Sequence, residues 1–269
     1  MSELDEYLNF AKELAKEAGE IMNRYFDADN LAIESKPDAS FVTVADNEIN
    51  DLVIRRVKDK FPKSGVLGEE ESYNLDADML WVVDPIDGTT VFSRKIPLSV
   101  FSIALLESGQ PKVAVIHSPF MQRIWWAVKS QGAYLNGKKL DLSNYKPQKH
   151  KLVAADVMAG EPWASYKTAK IGKLDLEKLR EAGAHVYMFP TALGPPLVAS
   201  GSLDGSITST QTPWDLSAAG LIAMEAGAKV TDLAGMSVER WDKEINGLCV
   251  APEKFHKTLL DVPMPAVEN

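Results

Sequence analysis

The chain has 269 residues, 45% hydrophobic and 25% charged, proportions of an ordinary globular protein that exclude disordered and fibrous classes. Its 38 acidic residues outnumber 29 basic ones, for a formal charge of -9, which argues against a general nucleic-acid binder because those carry a basic footprint. A small phosphorylated ligand stays compatible, since bound cations reverse the local field of an acidic site.

Met1 to Ala11 has early acidic residues and no apolar core of signal-peptide type, so export is not expected. No apolar run approaches the roughly 20 residues of a membrane span. Leu8, Ala11, Ala15, Ala18, Met22 and Tyr25 recur at helical spacing and predict an amphipathic helix from Leu4 to about Phe26. A polar connection from Glu34 to Ser40 leads to Phe41-Val42-Thr43-Val44. A second helical pattern then runs through Ile49, Leu52, Val53 and Val57 and stops at Pro62. Asp46 stands at the junction before it, where a short acid caps exposed N–H groups or faces a cleft.

Gly65-Val66-Leu67-Gly68 leads into Glu69, Glu70 and Glu71, and Leu80-Trp81-Val82-Val83 reads as a buried strand ending at Asp84 and Pro85. Being apolar on both faces, it is expected centrally in a covered sheet. Ser99–Leu106, Lys112–Ile116 and Ile124–Trp126 read as further strands. The polar stretch from Asp141 to Lys151 divides the chain into an N-terminal α+β subdomain (1–145) and a C-terminal α/β subdomain (146–269). Beyond it, Lys151–Val157 predicts a strand, Ala192–Leu203 a helix, Trp214–Ala226 a helix with Asp215 at its start, and Lys229–Thr231 a strand before the Asp232–Gly235 turn. Cys249, the single cysteine, lies in an apolar run and reads as a buried thiol in a cytoplasmic chain.

Some signals have plain structural explanations. Gly132 to Lys138 has phosphate-loop spacing, but Lys139 stands where Ser or Thr is required and no helix pattern follows. His117, His150, His185 and His256 lack zinc-motif spacing, and Trp125-Trp126 reads as packing.

The chemistry concentrates in Asp84-Pro85-Ile86-Asp87-Gly88-Thr89. Two carboxylates three residues apart, with Pro85 between them and Gly88 permitting a tight reversal, can converge with the Ile86 carbonyl on a hard cation. Mg2+ prefers such oxygen ligands. An ordinary turn uses the same residue types. Asp46, Glu69 and Asp215, also at the ends of core elements, would repel this pair unless cations neutralise them or the fold keeps them apart.

The ordered set resembles the inositol monophosphatase family. The resemblance rests on Val42-Thr43-Val44-Ala45-Asp46, Gly68-Glu69-Glu70, Asp84 to Thr90, Gly132 to Gly137, Trp214-Asp215-Leu216-Ser217-Ala218-Ala219-Gly220 and Glu225-Ala226-Gly227. It implies a layered α-β-α-β-α sandwich of the inositol monophosphatase/fructose-1,6-bisphosphatase type. It also implies two or three Mg2+ ions per active site, lithium sensitivity and a homodimer. Glu69, Asp84, the Ile86 carbonyl, Asp87 and Asp215 match the metal positions, and Asp46, Glu69 and Thr89 match the residues around the attacking water. Glu70 is expected to orient the water network behind them, and the N–H groups of Gly88 and Thr89 to hold phosphate.

On the substrate side the resemblance places Lys36, Thr191, Ala192, Thr208 and Asp215. Thr208 stands where inositol-specific members carry an acid, and Val91-Phe92-Ser93-Arg94-Lys95 departs from the common continuation after Thr90. The expected substrate is a small phosphorylated polyol or sugar. Histidinol phosphate and fructose 1,6-bisphosphate are alternatives, and a catalytically inactive phosphate- or carbohydrate-binding protein is the non-enzymatic one. No nucleic-acid or membrane partner is expected.

Overall fold

A computed structural model describes residues 3–28, 33–35, 41–146, 148–156 and 176–261. Lys36, and Val157 at the end of one expected strand, lie outside the described residues. Helix α1 (Glu3–Phe26) is followed by strands β1 (Ile33–Ser35) and β2 (Phe41–Thr43), which pair as an antiparallel hairpin, and by α2 (Val44–Lys60).

Seven strands form the larger sheet in sequence order: β3 (Gly65–Gly68), β4 (Met79–Asp87), β5 (Val100–Glu107), β6 (Gln110–Ser118), β7 (Arg123–Val128), β8 (Gly132–Leu135) and β9 (Lys138–Lys139). Only β3 and β4 pair in parallel; the rest is an antiparallel meander. A short α3 (Thr89–Ser93) leaves the end of β4.

The second half contributes β10 (Lys151–Asp156), α4 (Leu176–Glu181), β11 (Ala184–Tyr187), a 3-10 turn at Thr191–Leu193, α5 (Gly194–Ala199), β12 (Gly205–Thr208), α6 (Pro213–Glu225), β13 (Lys229–Thr231), β14 (Leu248–Ala251) and α7 (Glu253–Leu260). Among the described residues, its strands form a five-stranded sheet ordered β11-β10-β12-β14-β13.

The layers follow from which faces are apolar. Helices α1 and α2 cover one face of the larger sheet, burying Phe10, Leu14, Met22 and Ile49 against Trp81, Val83 and Phe101. Each such side chain contributes about 1.5–3 kcal/mol when fully buried. On the opposite face, α5 and α6 lie between the two sheets, where Leu216, Leu221 and Ile222 share a core with Val82, Ala104 and Val250. The far side of the smaller sheet is closed by α4 and α7 through Leu179, Phe255 and Leu259. The result is the α-β-α-β-α sandwich expected from the sequence.

Two local expectations are corrected. Strand β4 does not stop at Asp84 but continues to Asp87, and its neighbours are β3, at the sheet edge, and β5. The helix expected over Ala192–Leu203 is a 3-10 turn followed by α5, which ends at Ala199. Pro195 and Pro196 lie in the first turn of α5, where their missing N–H groups cost nothing, and Gly201 at φ 72° reverses the chain after its end. The phosphate-loop lookalike is a hairpin, with Asn136 and Gly137 at φ 49° and 82° as a two-residue turn between β8 and β9. Trp125 is fully buried, and Trp126 stacks on Tyr134 at 4.0 Å with the Lys12 ammonium 3.6 Å from its ring centre, so both indoles serve packing.

Helix α1 docks on β6 through His117, whose Nδ1 lies 2.6 Å from the Ala15 carbonyl. A Cβ on Gly19 would sit 2.5 Å from its Cε1. Burial, opposed by the Ala15 bond and aided by Lys16, pushes the His117 pKa below its ordinary 6.5. The unfolded chain therefore binds a proton that the folded one resists, and stability falls as pH drops below the unfolded value. The urea midpoint should thus decline from about pH 7.5 to about 5.5 more steeply in the natural chain than in His117→Gln, which cannot titrate there. Parallel pH profiles for the two proteins would contradict this assignment. Cys249 is buried on β14 and its thiol is pushed up to about 12 by desolvation, in keeping with a packing role.

Candidate metal centre

The site begins with an irregularity in the ladder between β4 and β5. Asp84 lies opposite Ser102 and Asp87 opposite Val100, so three steps along β4 match two along β5. In a regular strand, residues three apart point to opposite faces. The extra residue makes a β-bulge between Asp84 and Asp87 that resets this alternation, and Pro85, which has no N–H to donate to the ladder, lies within it. The Ile86 N–H turns inward to donate to Asp84 Oδ1 at 3.0 Å. The expected turn is therefore a bulged strand end.

Gly88 follows at φ 86°, and a Cβ there would meet Pro190 Cγ at 2.7 Å, so both backbone and space require glycine. Thr89 opens α3, with its Oγ1 3.1 Å from the Ile86 carbonyl and 3.3 Å from Asp46 Oδ1. Asp46, in the first turn of α2, accepts from the Thr43 N–H at 2.8 Å and from the Thr43 hydroxyl through Oδ2. Thr43 thus holds the Asp46 carboxylate in place, a role its sequence position alone does not assign. Its signal was present as a Thr-x-x-Asp variant of the capping box.

Asp215 stands in the first turn of α6, where the Thr212 hydroxyl donates to its Oδ2. One carboxylate oxygen from each of Asp84, Asp87 and Asp215 lies within 4.8 Å of the others. Oxygens about 2.1 Å from Mg2+ in an octahedron lie roughly 3.0 to 4.2 Å apart, so this hard, oxygen-only set fits that ion after a small contraction. Glu69 is not in this group of three. Its N–H donates to the Val83 carbonyl at 3.1 Å, anchoring it beside Asp84, and its charge reaches both Asp84 and Asp46.

Electrostatics support the convergence. Burial, then repulsion from Glu69, Asp215 and Asp87, pushes the Asp84 carboxyl well above the carboxylate range. Burial also pushes Asp46 up to about 7, against the Thr43 hydrogen bonds, with the charges of Glu69 and Glu70 adding to the rise. The fold thus gathers the acids that the sequence alone left either convergent or separate.

The substrate-side residues fare unequally. Ala192 is buried, and its N–H donates to Asp87 Oδ2 at 2.9 Å, so its backbone holds a cluster member in place. Thr208 is buried on β12 and its hydroxyl accepts from the Thr210 N–H at 3.1 Å, while Thr210 Oγ1 lies 3.3 Å from Thr191 Oγ1. Lys95 donates to the Ala28 carbonyl at 3.0 Å, whereas Arg94 is exposed.

This is a layered α/β protein with a carboxylate metal centre between a bulged strand end and a helix start. The inositol monophosphatase family model matches residues 3–262, and the chain belongs to that family. It is 29% identical over 272 residues to an inositol monophosphatase of Dictyostelium discoideum, covering 97% of each chain. It is 32% identical over 236 residues to a histidinol-phosphatase of Mycobacterium tuberculosis, covering 86% of this chain and 88% of that one. The crystal structure of the extragenic suppressor protein suhB from Bartonella henselae superposes with a TM-score of 0.83 at 26% identity, over 95% of this chain and 97% of that one. Family membership and the acidic cluster together support a Mg2+-dependent phosphatase acting on a small phosphorylated compound.

Proposed function

We propose that the protein hydrolyses a small polyol or sugar phosphate monoester by direct attack of water. The observation that carries this reading is the convergence of Asp84, Asp87 and Asp215 within 4.8 Å at the end of β4. Glu69 and the Ile86 carbonyl complete the ligand set in this proposal, which accommodates two or three ions. Bound Mg2+ supplies positive charge against the phosphate oxygens and acidifies water at neutral pH.

The chain's own residues do the rest. Asp46 Oδ1 and Thr89 Oγ1, 3.3 Å apart, form a relay in which Thr89 accepts a proton from the attacking water while passing its own to Asp46. Glu69 and Glu70 border this relay and orient the water. Helix α3 has only five residues, so the phosphate is held by individual N–H groups, those of Gly88 and Thr89, rather than by a long helix dipole. Thr191, Thr208 and the backbone around Ala192 form the leaving-group side together with Asp215, and Lys36 is assigned to the periphery of the phosphate side. Thr208, a neutral hydroxyl where a further acid would stand, favours a polyol or sugar over a cationic leaving group, which that second carboxylate would attract.

A cytoplasmic homodimer sensitive to lithium is part of the same reading. A single buried thiol supports a reducing compartment, and among the described residues no helix is long and apolar enough to cross a membrane.

The test is a panel of inositol phosphates, sugar monophosphates, histidinol phosphate and fructose 1,6-bisphosphate, assayed with and without Mg2+. Metal-dependent phosphate release, with the highest kcat/KM on a polyol or sugar ester, is expected. Preference for histidinol phosphate would favour the amino-alcohol alternative, and folded protein inactive on the whole panel would leave a binding protein.

A further inference from the structure

The two arms of the site reach it from different directions, one through the end of β4 and the other through the start of α6, and both lie against β5. Two serines there are fully buried, Ser102 within β5 and Ser99 immediately before its first residue. Ser102 is the cross-strand partner of Asp84, and its hydroxyl donates to the Trp214 carbonyl at 3.3 Å, one residue before Asp215. Ser99 donates to the Gly88 carbonyl at 3.0 Å, one residue before Thr89. Each hydroxyl thus ties the backbone beside a site residue to β5 or to the residue that leads into it.

We propose that Ser102 and Ser99 are positioning residues with separate tasks, an inference that rests on the metal-dependent reading above. Ser102 sets the distance between Asp84 and Asp215 by joining the first turn of α6 to the residue opposite Asp84. Ser99 sets the orientation of the Gly88–Thr89 peptide, and with it the Thr89 N–H offered to phosphate. The geometry explains the division of labour. Ser102 lies where the ladder is still regular, and Ser99 lies beyond the bulge, where β4 has already turned toward α3.

Neither hydroxyl touches metal or substrate, so loss of activity alone would not establish the roles. The full chain is therefore titrated with Mg2+ by calorimetry, titrated with inorganic phosphate at saturating Mg2+, and melted in EDTA. Ser102→Ala is expected to weaken Mg2+ binding by about 10-fold, the lower end of the range for groups that support metal ligands, with phosphate binding at saturating Mg2+ within about twofold. Ser99→Ala is expected to do the reverse, weakening phosphate by about 10-fold, since small misplacements of positioned donors have effects of this size or larger. Ser102→Cys, which keeps similar volume and a weak donor, should fall between the natural chain and Ser102→Ala, and it replaces the alanine variant if that protein is too unstable to titrate.

Lower melting points in EDTA with unchanged affinities for both ions would reduce the serines to packing and overturn the proposal. Parallel loss of both affinities in each variant would overturn the division of tasks. A natural chain that binds no Mg2+ would instead remove the metal reading itself, and this inference with it.

Discussion

Replacing Asp84 by Asn is expected to lower Mg2+-dependent phosphate release by more than about 100-fold, because a direct ligand should matter more than the supporting groups whose loss costs 10–100-fold. The same substitution should raise the melting temperature of the chain in EDTA. Asp84 is 2% exposed, and Glu69, Asp215 and Asp87 all oppose its charge. Asn removes that repulsion while its oxygen can still accept from the Ile86 N–H, which bonds Oδ1 at 3.0 Å in the natural chain. Adding Mg2+ should stabilise the natural protein strongly and the variant weakly, since ligand stabilisation grows with the logarithm of affinity for the folded state. Thermal melts with EDTA and with Mg2+, beside a phosphate-release assay, separate the effects. An Asp84→Asn protein that keeps its turnover, or melts lower in EDTA, would contradict the assignment of a repulsive metal-binding cluster.

A second large effect is expected far from any reacting atom. Gly220 lies in the middle of α6, and a Cβ there would sit 2.3 Å from Trp241 Cη2 and 2.4 Å from Cζ3. Helix propensity alone favours alanine over glycine by about 0.8–1.0 kcal/mol. Overpacking a rigid core opposes it by about 1–3 kcal/mol, and Trp241, 2% exposed, has little room to yield. The clash should win, so Gly220→Ala is expected to lower the unfolding free energy, and Gly220→Val to lower it further. Because α6 carries Asp215 in its first turn, Mg2+ affinity should fall as well. Trp241→Phe removes the ring atoms that the new methyl would strike. The double variant should therefore recover part of the loss, with a coupling that denaturant titrations of the four proteins would measure. Additive losses would show that the two side chains do not compete for this space.

Much of the architecture was legible where a single period dominated. Helix α1 advertised itself through Leu8, Ala11, Ala15, Ala18 and Met22, all buried as the spacing requires. Helix α6 was equally plain from Trp214 onward, though its apolar content surrounds it because sheets lie on both sides. The Ala192–Leu203 segment misled because small and apolar residues continue past Ala199, while a positive φ at Gly201 is a backbone fact with no hydrophobic signature. Strands β12 and β14 were not singled out at all. They are four residues each and buried throughout, so neither alternation nor length marks them.

The acids of the site could be named from the ordered motifs, but their arrangement could not. Asp46 and Thr89 are 43 positions apart and meet only because α2 and α3 both start beside the end of β4. The supporting groups were less visible still. Thr43, Ser99 and Ser102 act through backbone partners or a neighbour's carboxylate, and a serine in an apolar strand gives no sign of which carbonyl it will find.

The bulge between Asp84 and Asp87 has a consequence for anyone wishing to move this chemistry to another scaffold. A strand behaves like a two-beat rhythm, and Asp84 and Asp87 fall on opposite beats unless one extra note is played between them. Copying the two carboxylates into a regular sheet would therefore send one of them into the opposite layer. The portable unit is the aspartates together with the syncopation, and keeping their three-residue spacing while ironing out the bulge should scatter the pair even though every acidic group survives.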